Sequence, residues 1–91
     1  KDAYDIWFVL ANYPGGSAAI VSEFIPFADH GLVQEAMLVL DSKFNSPTHF
    51  GPVSVAMFLE LSGDDALIAQ RDAYERVQSV LAGLRQPNQN P

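Results

Sequence analysis

The sequence predicts a single α+β domain: an antiparallel sheet with helices on one face, ferredoxin-like in the order of its elements. Two observations lead to this fold class. Apolar residues alternate with period 2 through Val53–Leu61, as the side chains of a half-buried strand do. Ser62–Asp65 then supplies a stop and a helix cap, and a helical pattern of about twenty residues follows. A half-buried strand that leads into an amphipathic helix is typical of a small α+β domain.

Two further segments are predicted to be strands. Tyr4–Ala11 is apolar on both faces of an extended chain, which is typical of a central strand covered on both sides. Leu32–Phe44 alternates in the same way and is predicted to be the second strand of the sheet. The segment 45–52 between two of these strands contains two prolines and a glycine, and it is predicted to be a loop.

Residues 17–28 leave two interpretations open. A helix fits because Ser17 is a good N-cap and the apolar residues that follow form one stripe. A strand from Ala19 to Phe27 is the rival interpretation, because Pro26 would interrupt a helix that continued to Ala28.

The last element is predicted to be a helix from Asp64 to Leu84. Two pairs of opposite charge, Arg71–Glu75 and Asp72–Arg76, have the i,i+4 spacing that places them together on its outer face. Its apolar stripe consists of Leu67, Tyr74, Val77, Leu81 and Leu84. The helical interpretation of residues 17–28 makes the order βαββα, five of the six ferredoxin-like elements. The alternative architecture is a four-stranded antiparallel meander packed by this C-terminal helix.

The predicted sheet has a second apolar face that needs a cover. Trp7, Val9 and Phe58 lie on it, and apolar surface left in water is unfavourable by about 25 cal/mol per Å². Charged residues form only 18% of the chain, which is low for a small soluble domain. We therefore expect a homo-oligomer or a neighbouring domain to pack on this face.

The segment Asn12-Tyr-Pro-Gly-Gly-Ser-Ala-Ala-Ile-Val21, followed by His30-Gly-Leu-Val33, resembles an ACT domain. The resemblance implies a ferredoxin-like βαββαβ fold that pairs with another copy and binds an amino acid or other small effector near the Pro-Gly turn. Residues 86–91 supply no counterpart of the family's last strand.

The ligand loop implied by this resemblance maps onto Asn12, Gly15, Gly16 and Ser17. The two glycines would let backbone N–H groups approach a carboxylate, with a helix N-terminus behind them. The alternative is that Gly15 and Gly16 only form a tight turn.

Composition excludes several classes of partner. Eleven acids against five bases give a net charge of −6, with no basic cluster, so we expect no binding to nucleic acid or to an anionic membrane. No apolar run is long enough to span a bilayer. The chain has no cysteine, and its two histidines, His30 and His49, lack the spacing of a metal site, so no metal or cofactor is expected. Asp64 and Asp65 fit the start of a helix better than a catalytic pair.

Residues 1–85 are expected to form one domain, with 86–91 as a flexible tail. The chain starts at Lys1 without a Met, which fits a processed or excised form, and the absence of cysteine fits a cytoplasmic location. The predicted function is a non-catalytic regulatory module that dimerises through its sheet and binds a small effector. The alternatives are a protein–protein interaction domain without a ligand and a cofactor-independent enzyme on a dimeric α+β barrel.

Overall fold

The computed structural model describes residues 2–85, and all of the regular structure in this range is helical. The elements are α1 (Asp2–Asn12), α2 (Gly16–Phe24), a short 3-10 helix (Ile25–Phe27), α3 (Gly31–Lys43), α4 (Phe50–Phe58) and α5 (Gly63–Arg85). The described part of the chain contains no strand, so the predicted α+β class, the meander alternative and the resemblance to an ACT domain are wrong. The predicted tail, residues 86–91, lies outside the described residues.

The first predicted strand is the helix α1. Its buried residues Ala3 and Leu10 are two helical turns apart, and Ile6 and Trp7 between them pack against the same core. This spacing of three, four and seven is the period of one helix face. The prediction failed because almost every residue of Tyr4–Ala11 is apolar, and such a run satisfies the strand period and the helix period equally well.

The Val53–Leu61 run, on which the predicted class depended most, overlaps the helix α4. The buried residues of this helix are Gly51, Pro52, Val55 and Ala56, which repeat with helical spacing. The predicted loop 45–52 ends at Pro52, but this proline lies in the first turn of α4, where it costs no hydrogen bond. The β-branched residues of the segment favour a strand only weakly, and tertiary packing overrides that preference.

The second predicted strand, Leu32–Phe44, is the helix α3 and the residue that caps it. Met37 and Phe44 are buried, and Val33 and Leu40 pack against them, so the inner side follows spacings of four and three. His30 is the N-cap of this helix, because its Nδ1 accepts a hydrogen bond from the backbone N–H of Leu32 at 3.1 Å.

Residues 17–28 follow the helical interpretation. The helix α2 ends at Phe24, and Pro26 lies in the 3-10 turn that follows, so the proline interrupts no α-helical hydrogen bond. The predicted C-terminal helix is confirmed as α5, with Asp64 and Asp65 in its first turn. Both of its i,i+4 ion pairs are present: Arg71–Glu75 at 3.3 Å and Asp72–Arg76 at 2.8 Å.

The core lies between α5 and the helices that pack along it, of which α4 makes the most extensive contact. Phe44, Val55, Val77 and Leu81 are fully buried there. Gly51 permits the close approach of α4 to the end of α3, because a Cβ atom at Gly51 would lie 2.9 Å from the Phe44 ring. The side-chain amide of Gln78 links α5 to the end of α3, because its Nε2 donates to the Phe44 carbonyl at 2.9 Å.

Candidate interaction surface

The predicted ligand loop forms the connection between α1 and α2. Asn12 ends α1, and its side-chain amide donates to the Phe8 carbonyl at 2.9 Å. Gly15 and Gly16 have φ of 89° and 70°, values that favour glycine, and the Gly16 N–H donates to the Tyr13 carbonyl at 2.9 Å. The geometry of the turn therefore explains why both positions are glycine, and the Asn12 side-chain amide and the Gly16 N–H already have hydrogen-bond partners. Ligand binding by Asn12, Gly15, Gly16 and Ser17 stays a prediction.

A side-chain bond ties this turn to α2. The Tyr13 hydroxyl donates to the Glu23 carboxylate. This hydrogen bond raises the pKa of Tyr13 above its ordinary value, because loss of the phenol proton would break the bond. Desolvation and the negative charge of Glu23 raise this pKa as well.

Four aromatic side chains lie together on α1 and α4. The Tyr4 ring centroid lies 4.2 Å from that of Phe58, 5.7 Å from that of Trp7 and 5.9 Å from that of Phe8. Phe58 is 50% exposed and Phe8 is also exposed, while Tyr4 and Trp7 are half-buried. We call these four residues the aromatic cluster. The pairs of Tyr4 with Trp7 and Phe8 have the tilted geometry and centroid distance at which aromatic rings attract each other beyond the area they bury.

A hydrogen bond to α5 fixes the position of Trp7. Its indole Nε1 donates to Asp72 Oδ2 at 2.8 Å, and the same oxygen accepts from Arg76 Nε at 2.8 Å. The polar edge of the indole is thereby satisfied, and the ring is held between α1 and α5 next to Tyr4.

Of the three residues predicted to form an interface, the structure brings two together. Trp7 and Phe58 both contact Tyr4. Val9 is exposed, but it lies about 140° around α1 from Tyr4 and so points away from the cluster. The predicted sheet face that would carry all three is wrong, because residues 2–85 form no strand.

The N-terminal half of α5 continues this surface. Leu67 is 58% exposed and Ile68 is 68% exposed, and they line a shallow depression of about 430 Å³ with Arg71, Asp72 and Glu75. Asp72 belongs both to this depression and to the hydrogen bond with Trp7, so the depression lies beside the aromatic cluster. Sequence reasoning missed Ile68 and assigned Leu67 to the buried stripe.

Charge is concentrated in the same part of the molecule. The segments 2–8 and 58–76, which supply the cluster and the depression, contain seven carboxylates and two guanidinium groups. The other described residues, more than twice as many, contain four carboxylates and two cationic side chains. Both guanidinium groups near the cluster are paired with carboxylates of their own helix.

Comparisons with known proteins give no relative from which a function could be transferred: no family model, curated protein or solved structure matches this chain. Among residues 2–85, no three His, Asp or Glu side chains are grouped so that they could hold a metal ion. Within the same range, no helix combines the length and the apolar character needed to cross a membrane.

Proposed function

We propose that this protein is a non-catalytic protein-interaction module and that the aromatic cluster, with Leu67 and Ile68 beside it, is its docking surface. Dimerisation through a sheet, as expected from the sequence, is replaced by docking on helices, because the described residues form no strand. The same observation contradicts the alternative of an enzyme on a dimeric α+β barrel, because such a barrel is built from strands.

The observation that carries the proposal is the surroundings of Phe58. Half of this side chain is exposed although its ring lies against Tyr4, which is held next to the hydrogen-bonded Trp7. Large aromatic side chains in fixed positions are the usual anchors of protein interfaces, because they bury much area and lose little conformational freedom on binding. Fourteen large apolar side chains are exposed among the described residues, but the ring contacts of the structure link only this cluster into one supported surface.

The test combines selection of helical peptides from a displayed library with sedimentation of the protein alone. We expect either a selected peptide or a second copy of the chain to bind the wild-type protein. The Phe58→Gln variant should weaken that binding at least about tenfold, as loss of a central anchor does. Phe27→Gln is the matched control, because Phe27 is 57% exposed but lies outside the cluster, in the 3-10 helix.

Two results would contradict the proposal. One is a protein that stays monomeric at all concentrations and selects no peptide. The other is binding that Phe58→Gln and Phe27→Gln weaken equally, which would place the contact elsewhere or spread it over the whole surface.

Binding of a small effector at residues 12–17 has a separate test, thermal melting in the presence of amino acids and other metabolites. A ligand at about 100 times its Kd should stabilise the fold by about 2.7 kcal/mol. The structure changes the choice of variant for this test. Gly15→Val would strain a residue with φ of 89°, so Ser17→Ala is the better probe of binding.

A further inference from the structure

We infer that the partner of this surface is a basic amphipathic helix of another polypeptide, which lays its apolar side along the aromatic cluster and the depression on α5. The inference rests on the proposed function and adds to it the chemistry of the partner. Three features of the structure lead to it: the shape of the surface, its charge and the rigidity of its anchors.

The shape suits a helix. Ile68 and Leu67 stand on one side of α5, and the depression beside them runs along the helix past Asp72 to Glu75, about two turns away. Phe58 and Tyr4 add apolar surface next to it from α4 and α1. A partner helix presents apolar residues at i, i+3, i+4 and i+7 on a similar length scale, so its apolar side can follow the depression along α5.

The charge selects a basic partner. The segments 2–8 and 58–76, which supply the apolar surface, carry seven carboxylates but only two guanidinium groups, and these pair with Glu75 and Asp72. Lysine or arginine residues flanking the apolar side of a partner helix would meet this negative potential. A second copy of this chain would bring the same excess of carboxylates, and like charges across an interface oppose association.

The anchors are already in place. Trp7 is fixed by Asp72, and Tyr4 packs against the rings of Trp7 and Phe58. Trp7 and Tyr4 therefore lose little conformational entropy when a partner binds, which favours association.

The experiment uses two synthetic peptides of about 18 residues with the same helical pattern of leucines. The polar positions are lysine in one peptide and glutamate in the other. Neither contains an aromatic residue, so the fluorescence of Trp7, the one tryptophan of the chain, reports binding next to the cluster. We expect the lysine peptide to bind, the glutamate peptide to bind at least about tenfold more weakly, and the Kd of the lysine peptide to rise several-fold between about 0.05 and 0.5 M salt.

Variants locate the contact. Ile68→Gln should raise the Kd of the lysine peptide at least about tenfold. Leu38→Gln is the matched control, because Leu38 is also 68% exposed but lies on α3, and it should leave the Kd unchanged. Both side chains are exposed, so the two variants should keep the wild-type helical circular dichroism.

The outcomes separate the inference from the proposed function. Equal binding of both peptides, lost in Ile68→Gln, would overturn the basic partner and leave the docking surface. Self-association that Phe58→Gln abolishes would do the same by assigning the surface to a second copy. Lysine-peptide binding that Ile68→Gln and Leu38→Gln leave equally strong would overturn the inference, because it would be attraction to negative charge alone. No binding of either peptide would overturn the inference, while the proposed function would be overturned only if the library selection also yields no peptide and the protein stays monomeric.

Discussion

The two halves of α5 carry apolar residues at similar helical spacing, but their surroundings are opposite. In the C-terminal half, Val77 and Leu81 are fully buried; in the N-terminal half, Leu67 and Ile68 are more than half exposed. Helices α2 and α3 both contact the C-terminal half, where Gly83 closely approaches α2 and Gln78 donates a hydrogen bond to the Phe44 carbonyl at the end of α3. Spacing therefore indicates that a helix has an apolar side, whereas the arrangement of the other helices decides which part of that side the protein itself covers.

Truncation of one apolar side chain in each half gives the largest expected contrast. Leu81→Ala should lower the free energy of unfolding by about 2–5 kcal/mol, because it leaves a cavity in a fully packed core. Ile68→Ala should change it by less than about 0.5 kcal/mol, because the side chain is mostly in water. Urea denaturation followed by circular dichroism measures both values. Equal losses would show that the N-terminal half of α5 is buried as well.

The contact between α5 and α2 gives the next contrast. A Cβ atom at Gly83 would lie 2.6 Å and 2.9 Å from the two Cγ atoms of Val21. Alanine favours a helix over glycine by about 1 kcal/mol, but the overlap should outweigh this and lower the free energy of unfolding by about 1–2 kcal/mol. Gly31→Ala, in the open first turn of α3, is the control and should not destabilise the protein.

A double-mutant cycle checks the cause. Val21→Ala removes the methyl groups that the new Cβ would meet, so Gly83→Ala should be less harmful in that background than in the wild type. An unchanged loss would mean that the effect of Gly83→Ala arises elsewhere, and the close contact between the two helices would then not be its explanation.

The sequence allows α5 to be predicted correctly because its polar and apolar residues alternate over 23 residues, long enough to distinguish the helical period. In α1 and α4 most residues are apolar, so the sequence does not distinguish a helical period from a strand period. Some of these apolar residues are exposed in the structure, and a run that is apolar on all sides resembles a buried strand. Local pattern contains no information on whether a face will be covered.

The candidate surface was predictable to a similar degree. Trp7 and Phe58 were expected to share an apolar surface, and the structure brings both against Tyr4. Asp72 could not be recognised as the partner of Trp7, because the two residues are 65 positions apart and meet only in the folded chain. Docking on this surface stays a proposal.

Two adjacent glycines in the turn between α1 and α2 also differ in their surroundings, because only one of them has a close neighbour on the side where a Cβ would lie. Gly15 and Gly16 both have positive φ, but a Cβ at Gly15 would lie 2.7 Å from Ala19 Cβ, whereas a Cβ at Gly16 would meet no atom within 4 Å. Gly16→Ala should lower the free energy of unfolding by about 1 kcal/mol from backbone strain alone. Gly15→Ala should lose more, because it adds the overlap. Thermal melting of the two variants compares them, and a larger loss at Gly16 would contradict this account of the turn.

The smallest expected effect concerns the bond from Tyr13 to Glu23, which lies in an open part of the same turn. Its hydrogen bond raises the pKa of Tyr13 in the folded state above the unfolded value of about 10. The bond therefore contributes stability below about pH 10, and this contribution is lost as the pH rises through the higher folded-state pKa. Absorbance titration, with Tyr13→Phe as the reference that isolates this phenol, should show the pKa returning toward 10 in Glu23→Ala. If Glu23→Ala leaves the titration unchanged, the phenol does not donate to this carboxylate in solution. The turn would then be held by its glycines, its backbone hydrogen bonds and the packing of Tyr13 against the core.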